Sequence, residues 1–372
     1  MQKNWISLGL MSGTSGDGVD ASIIKTNGIN QYESIKDKYF EYDSKIYKDI
    51  HNLKEKIYNI EHLNEYKNEI SNLEREISIF HAEIIKELEI SSETIIGFHG
   101  QTIYHNPLEK ISRQLGNGKL LNQLTNKNIV FNFRQNDILN GGQGAPLTPI
   151  FHQLISLQNK IPAPVCFLNI GGISNITIIK EKENFSKLIS KDIGPGNCLI
   201  DSWVRKNSDE KFDRDGVFAS RGVRNEIIFE QAQELYSNRN NKKKLSLDTN
   251  DFDISFVRGL SLEDGVTTLT DFTASIIGEE LSLSIKNSKV KIKDVLLCGG
   301  GRKNKILIKK IKENSSSNIN LKQIDDHKIN GDFIESQAFA FLAVRSKLGL
   351  PISFPNTTGC KEPCVGGDLV SN

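Results

Sequence analysis

The chain has 372 residues, a formal net charge of +1 and 25% charged residues. That length suits two domains of ordinary size, about 100–200 residues each. The charge balance speaks against a nucleic-acid or membrane-surface protein, which carries a basic excess. No apolar run reaches the roughly 18 residues of a membrane-spanning helix. A strand begins almost at the N-terminus and leaves no room for a signal peptide. Cys166, Cys198, Cys298, Cys360 and Cys364 are odd in number and sit in apolar or glycine contexts. They read as reduced thiols of a cytoplasmic protein. Cys360 and Cys364 lack the second pair or His cluster that a zinc site needs.

Residues 5–11 predict a buried strand, 12–18 (SGTSGDG) a polar glycine-rich turn, and 19–24 a returning strand. Gly13, Gly16 and Gly18 permit positive φ and close approach of a ligand to backbone N–H groups. Thr14 and Ser15 add hydroxyl donors, and Asp17 and Asp20 add hard oxygens suited to a hydrated Mg²⁺. The segment reads either as a phosphate-binding hairpin or as an ordinary tight hairpin. It is not a P-loop, because GxxxxGK[ST] is absent and a strand follows the turn.

Residues 44–90 predict a helix. Leu63, Tyr66, Ile70, Leu73, Ile77, Phe80, Ile84 and Leu88 recur at spacings of three and four, an amphipathic stripe that packs on a sheet or a helix. His81 on this helix reads as structural or surface. Residues 94–98 predict a short strand ending in His99, Gly100, Gln101 and Thr102. Residues 129–133 predict another strand, and 134–149 a polar glycine-rich loop leading into a helix.

From residue 165 the pattern repeats. Residues 165–170 form an apolar strand, Gly171, Gly172, Ile173, Ser174 and Asn175 a glycine-rich turn, and 176–179 the returning strand. This echo of residues 5–24 predicts a duplicated fold, each half opening with a hairpin whose tip points at a shared cleft. Residues 192–197 (DIGPGN) follow at a hairpin end, with a helix opening at 199–204. Residues 237–253 read as a solvated loop and 269–285 as a helix. A strand at 294–298, Gly299, Gly300 and Gly301, and a basic helix at 303–313 form a strand–glycine–helix unit. That unit is either a nucleotide contact or a plain βα turn. Residues 335–348 predict a buried helix opened by Glu335.

The motifs MSGTSGDGVD, GFHGQTIYHNP, FRQNDILNGGQGAPLTPIFH, NIGGISNIT, DIGPGNCLIDSW, LCGGGRKN and ESQAFAFLA occur in that order. Together they resemble the anhydro-N-acetylmuramic acid kinase family of bacterial cell-wall recycling, from about residue 6 to the C-terminus. The resemblance implies the acetate and sugar kinase/heat-shock chaperone/actin superfamily: two ribonuclease-H-like (actin-like ATPase) α/β domains flanking an ATP cleft. It implies an N-terminal lobe of residues 1–138 with 352–372 and a C-terminal lobe of 139–351. The implied reaction opens 1,6-anhydro-N-acetylmuramic acid with water at C1 and phosphorylates O6 from ATP, with Mg²⁺. A homodimer acting on a small amino sugar is expected, with no nucleic-acid or membrane partner.

By resemblance, Gly13, Thr14, Ser15, Gly16, Asp17, Gly18, Val19 and Asp20 form the ATP motif, with Asp17 contacting Mg²⁺ through water. Asp192 matches the catalytic base acting on water, and Glu335 the carboxylate that helps hold that water. Read from the residues alone, an Asp such as Asp192 caps a turn more often than it catalyses, and Glu335 can equally answer a helix dipole. Gly171, Gly172 and Asn175 are expected to form a second phosphate loop, and Gly299, Gly300 and Gly301 to line the adenine-ribose side. His99, Gln101, Thr102, Arg134, Asp137 and Gly142 are the substrate-side candidates. His99 has a packed structural role as its alternative, and Asp137 is the second candidate for the base. The family writes DFR where this chain has Asn132, Phe133 and Arg134, so position 132 is not the base.

Three rivals remain at this level. Another sugar kinase of the same fold would lack the DIGPGN and GGQGAP pair. An actin- or chaperone-like ATPase switch usually carries a partner-binding module. A metal-dependent tRNA-modifying relative would need two His about four apart on a helix, and no such pair occurs.

Overall fold

The structure, a computed structural model, describes residues 3–181, 184–238 and 246–371. The chain divides into two compact units, residues 1–161 with 182–186 and 333–372, and residues 162–181 with 187–332.

The first unit opens with an antiparallel meander, β1 (Trp5–Ser12), β2 (Gly18–Thr26) and β3 (Tyr32–Glu41). Three helices follow where one was expected: α1 (Ser44–Lys56), α2 (Ile60–Glu65) and α3 (Lys67–Glu87). The start of α1 and the first break are capped locally, while α3 begins after Tyr66 with no side-chain cap. The Asp43 side chain accepts the N–H groups of Lys45 and Ile46, and that of Asn59 accepts His62 N–H. Each satisfies donors that a helix start leaves unpaired. Strand β4 (Ile95–Asn106) lies parallel to β1, and β5 (Ile111–Leu115) folds back on it. Then come α4 (Gly118–Thr125), β6 (Asn128–Phe131) parallel to β4, α5 (Gln135–Leu139) and α6 (Pro149–Gln158).

Two expectations are corrected here. The β4 strand does not end at Phe98: its pairing with β1 stops at Ser12 opposite Gln101, and pairing with β5 carries it on to Asn106. The β6 strand ends at Phe131 because Asn132 turns left-handed at φ 56°, a conformation Asn tolerates better than most residues. The Asn132 amide donates to Asp368 Oδ2 at 2.7 Å.

The second unit repeats the plan. Strands β7 (Val165–Ile170), β8 (Ile173–Ile179) and β9 (Leu188–Pro195) form an antiparallel meander. Helices α7 (Cys198–Asn207), α8 (Glu226–Ser237) and α9 (Leu262–Asn287) follow. Strand β10 (Asp294–Cys298) is parallel to β7, α10 (Lys305–Glu313) crosses over, and β11 (Asn320–Gln323) is parallel to β10. Of the loop expected at 237–253, residues 239–245 lie outside the described residues, and Thr249–Asp251 form a short 3₁₀ turn.

The chain then returns to the first unit with α11 (Ile334–Lys347), α12 (Pro355–Thr358) and β12 (Asp368–Val370), which pairs with β6. The sheet orders are β12-β6-β4-β1-β2-β3 and β11-β10-β7-β8-β9. In each, three antiparallel strands are extended by two parallel ones on the side of the first strand. This is the ribonuclease-H-like arrangement, made twice.

The expected lobe boundaries at 138/139 and 351/352 are corrected, because residues 139–161 and 333–351 pack in the first unit. Leu8 and Leu10 point into the core beneath α1 and α3, so Ser7 and Gly9 face the opposite side of the sheet. There α11 approaches closely. A Cβ on Gly9 would lie 1.8 Å from Ser336 O, and one on Gly97 2.2 Å from Phe339 O. Ser7 Oγ donates to Ala340 O at 2.8 Å. Phe151 of α6 packs between Tyr32 and Phe341, ring centroids 4.9 and 5.7 Å away. These buried faces outweigh the sequence order that placed both helices in the second lobe.

Candidate active site

The hairpin between β1 and β2 is held from beneath. Gln101 is fully buried; its Oε1 accepts Ser12 Oγ at 2.6 Å and its Nε2 donates to Gly13 O at 3.0 Å. Ser12 Oγ also donates to Gly18 O at 3.0 Å, and Gly16 N–H to Gly13 O at 3.2 Å. Lys54 Nζ reaches Thr14 O at 2.7 Å, and Tyr42 N–H donates to Asp17 O at 3.0 Å. Of the hairpin glycines Gly13, Gly16 and Gly18, only Gly16 takes positive φ, 63°. Gly18 is required for space: a Cβ there would lie 2.4 Å from Phe40 O and 2.6 Å from the Tyr39 ring. A Cβ on Gly13 would meet only Ser15 Oγ, at 3.8 Å. Ser15 Oγ donates to the Asp17 carboxylate. Burial, with Asp17, Glu41 and Asp20 nearby, pushes the Tyr39 hydroxyl far above its usual range. Asp17, Glu41 and Asp20 thus gather three carboxylates at the Tyr39 side of this hairpin.

A second group lies at β4 and the loop after β6. His99 is buried, with Nδ1–H donating to Gly100 O at 2.7 Å. Arg134 donates to His99 Nε2 from Nη2 at 2.8 Å and from Nε at 3.2 Å. Guanidinium has no acceptor, so this contact requires an unprotonated Nε2. Burial first and the Arg134 charge second hold His99 well below the usual imidazole pKa. Arg134 Nη1 also donates to Gly144 O at 2.7 Å. Asp137 is 1% exposed and accepts Gly144 N–H and Thr358 Oγ1, each at 2.7 Å, and Ser353 Oγ. Gly142 sits against it, where a Cβ would fall 2.1 Å from Asp137 Oδ2. Thr102 Oγ1 accepts from Gln114 at 3.2 Å. Glu335 is half-buried in the first turn of α11.

In the second unit, three glycine turns meet at the end of β7. Gly196 N–H donates to Gly172 O at 2.9 Å, and Asn197 N–H to Gly171 O at 2.8 Å. A Cβ on Gly299, at φ 79°, would lie 2.4 Å from Asn169 Oδ1, and one on Gly301 2.3 Å from Ile170 Cγ2. Gly300 has nothing within 4 Å of a modest side chain's first carbon. Asn175 Oδ1 is buried without a hydrogen-bond partner. Asp192 is the cross-strand partner of Asn175, and its Oδ2 accepts Leu247 N–H at 2.7 Å.

Sequence reasoning missed Arg302. It is 5% exposed, grips Asp325 with two bonds of 2.8 and 2.9 Å, pairs with Asp332, and donates to Gly299 O at 3.0 Å. A planar fork of this kind locks the glycine turn to residues 325–332. Its position directly after three glycines was the available signal.

Two ribonuclease-H-like units, each with a glycine turn at the same hairpin, define the fold class of the sugar kinases, heat-shock chaperones and actin. The family model for anhydro-N-acetylmuramic acid kinase matches residues 5–372. The anhydro-N-acetylmuramic acid kinase of Pelagibacter ubique (strain HTCC1062) is 54% identical, over all of both chains. That of Zymomonas mobilis is 35% identical, over 98% of this chain and 99% of its own. Among solved structures, component A of the (R)-2-hydroxyglutaryl-CoA dehydratase of Acidaminococcus fermentans aligns with a TM-score of 0.45 at 12% identity, over 92% of this chain and 99% of that one. The chain belongs to the anhydro-N-acetylmuramic acid kinase family.

Proposed function

We infer that this chain is an ATP-dependent kinase that hydrolytically opens 1,6-anhydro-N-acetylmuramic acid and phosphorylates O6, in peptidoglycan recycling. The observation that carries the reading is the family match over residues 5–372. Water adds to C1, the C1–O6 bond breaks, and O6 takes the γ-phosphoryl group. The products are N-acetylmuramic acid 6-phosphate and ADP. Asp192 takes the proton from the attacking water, the inverting-glycosidase logic of a positioned carboxylate. Its bond to Leu247 N–H occupies Oδ2 and fixes its orientation, and Glu335 helps hold the water. Asp137 is the weaker candidate for the base, since its oxygens already accept three donors inside the fold.

The turns at residues 13–20 and 171–175 take the phosphates through backbone N–H groups, and Gly299, Gly300 and Gly301 take the adenine-ribose side. The open face of Gly300 supports that reading, as does Gly13, where a Cβ would meet only Ser15 Oγ at 3.8 Å. His99, Thr102 and Arg134 face the sugar, with Arg134 suited to its lactyl carboxylate. Among the described residues no cluster of three or more His, Cys, Asp or Glu could cage a metal ion alone. Asp17 fits an ion that keeps its waters and takes its remaining contacts from phosphate. Such an Mg²⁺ would neutralise charge on the transferring phosphoryl group.

Among the described residues no helix is long and apolar enough to cross a membrane. We place the enzyme in the cytoplasm, where its free thiols stay reduced, as a homodimer. Light scattering tests the dimer. The function is tested by incubating the protein with ATP, Mg²⁺ and the anhydro sugar. A sugar 6-phosphate is expected; no product, with clear turnover of another sugar, overturns the reading.

A further inference from the structure

We propose that Asp137 is a positioning residue for the sugar-side pair Arg134 and His99, acting through Gly144 and touching no substrate itself. The inference rests on the reading of Arg134 and His99 as sugar-side groups. Asp137 Oδ1 accepts Ser353 and Thr358 hydroxyls, and Oδ2 accepts Gly144 N–H at 2.7 Å. Gly142 covers Oδ2 so closely that a single added carbon would collide with it. These donors to the carboxylate, a backbone N–H and two hydroxyls, are all neutral. A buried carboxylate held only by neutral donors depends on all of them, and they depend on it. It thereby joins the loop at 141–146 to the segment at 353–358. Gln143 N–H adds a backbone bond to Thr358 O at 2.8 Å.

Gly144 transmits the constraint. It sits left-handed at φ 68°, so its N–H turns to Asp137 while its carbonyl accepts Arg134 Nη1 at 2.7 Å. Arg134 then presents Nε and Nη2 to His99 Nε2. This requires the imidazole to carry its proton on Nδ1, where Gly100 O accepts it. The Phe339 ring, centroid 4.6 Å away, closes one face of the imidazole. Asp137 therefore sets the orientation of the guanidinium and, through it, the tautomer of His99. Loosening Asp137 should weaken sugar binding without removing a proton acceptor.

Asp137→Asn and Thr358→Val test this in the full-length protein. Asparagine turns an N–H donor toward one of the three donors that Asp137 now satisfies. Valine removes one donor and leaves the carboxylate. The expected result is a KM for the anhydro sugar raised about 10- to 100-fold, the scale of a hydrogen bond to a charged group. The KM for ATP and kcat should stay near wild type. ¹⁵N NMR of the histidine rings, recorded without substrate, should show the His99 Nδ1–H tautomer in wild type and its loss or averaging in the variants. A collapse of kcat with an unchanged sugar KM makes Asp137 a proton carrier and overturns the proposal. Parallel rises in both KM values, or an unchanged His99 signal, make its role merely structural and also overturn it. Should Asp137→Asn fail to fold, Thr358→Val is judged on the same criteria. Should wild type not turn over the anhydro sugar, the functional reading fails, while the ring signals still decide the relay.

Discussion

Asn175 and Asp192 face each other across β8 and β9, the last paired residues before the ladder slips between Ser174 and Asn175. Cross-strand partners in an antiparallel pair share a face, with Cβ atoms about 4.5–5.5 Å apart. The register thus sets Asp192, the proposed proton acceptor, beside the glycine turn of its own unit. An ordinary sugar kinase needs a base only for a hydroxyl that already exists. Here O6 is tied in the anhydro bridge, so the carboxylate must act on water.

Asp192→Asn is therefore expected to leave ATP and sugar binding intact, because the amide keeps the shape and one acceptor for Leu247 N–H. Turnover should fall by about 10²–10⁴, the usual loss on removing a general base. In ¹⁸O-labelled water the wild-type product should carry label at O1 and none in the phosphate. Near-normal turnover of Asp192→Asn beside a dead Asp137→Asn would transfer the role to Asp137.

Asp17→Asn removes one charge from the hairpin tip while leaving an amide oxygen to accept from Ser15 Oγ. The expected cost is about 2–4 kcal/mol of transition-state stabilisation, the scale of one preorganised electrostatic contact. The requirement for Mg²⁺ should rise with the far-ultraviolet circular dichroism unchanged. Equal turnover of the two proteins at limiting Mg²⁺ would exclude Asp17 from the metal side.

Acid should weaken the first unit before carboxylates titrate. His81 is fully buried, its Nδ1 bonded to Ile77 O at 2.7 Å and its Nε2 without a partner. Burial lowers its pKa from 6.5 to about 4. A depressed pKa means stability that is fully present above the unfolded value, near 6.5, and lost as pH falls towards 4. The loss is on the order of 3 kcal/mol at pH 4. Urea unfolding at pH 7, 5.5 and 4 should show the decline, and His81→Phe should flatten it. An identical slope in that variant would assign the acid sensitivity to other groups, His99 and His152 among them.

Gly9→Val is expected to be among the most damaging single changes in the sheet. The Cβ position already overlaps Ser336 O at 1.8 Å, so α11 must move or the strand must bend. Overpacking costs about 1–3 kcal/mol, and here the displaced helix also carries Glu335. Thermal unfolding should fall by several degrees and turnover should fall with it. A variant with wild-type stability and activity would show that α11 tolerates displacement.

The sequence by itself determined the opening hairpin of each half, its glycine turn and the duplication; the edge strands β3, β5, β11 and β12 were not legible in it. Short apolar runs and clusters of glycine are local properties, legible without neighbours. It also carried the ordered motifs that identify the family. The helix start at Asn59 is legible as a cap inside a continuous apolar stripe, whereas the start after Tyr66 has no side-chain cap to signal it. Tertiary structure alone decided the rest. Nothing local places α6 and α11 against the first sheet; that follows from the fit of a helix backbone onto Gly9 and Gly97. Nothing local tells whether Gly18 is needed for its φ or for its missing Cβ, and the neighbour, Phe40, is 22 residues away in a third strand. The same holds for Asp137 and Arg302. A carboxylate or guanidinium in a glycine loop reads as a ligand contact until its partners, at 353, 358 and 325, are brought to it by the fold. Hydrogen bonds between residues distant in sequence exist only after the sheets have assembled, and they decide which polar side chain faces a ligand and which holds the loop that does.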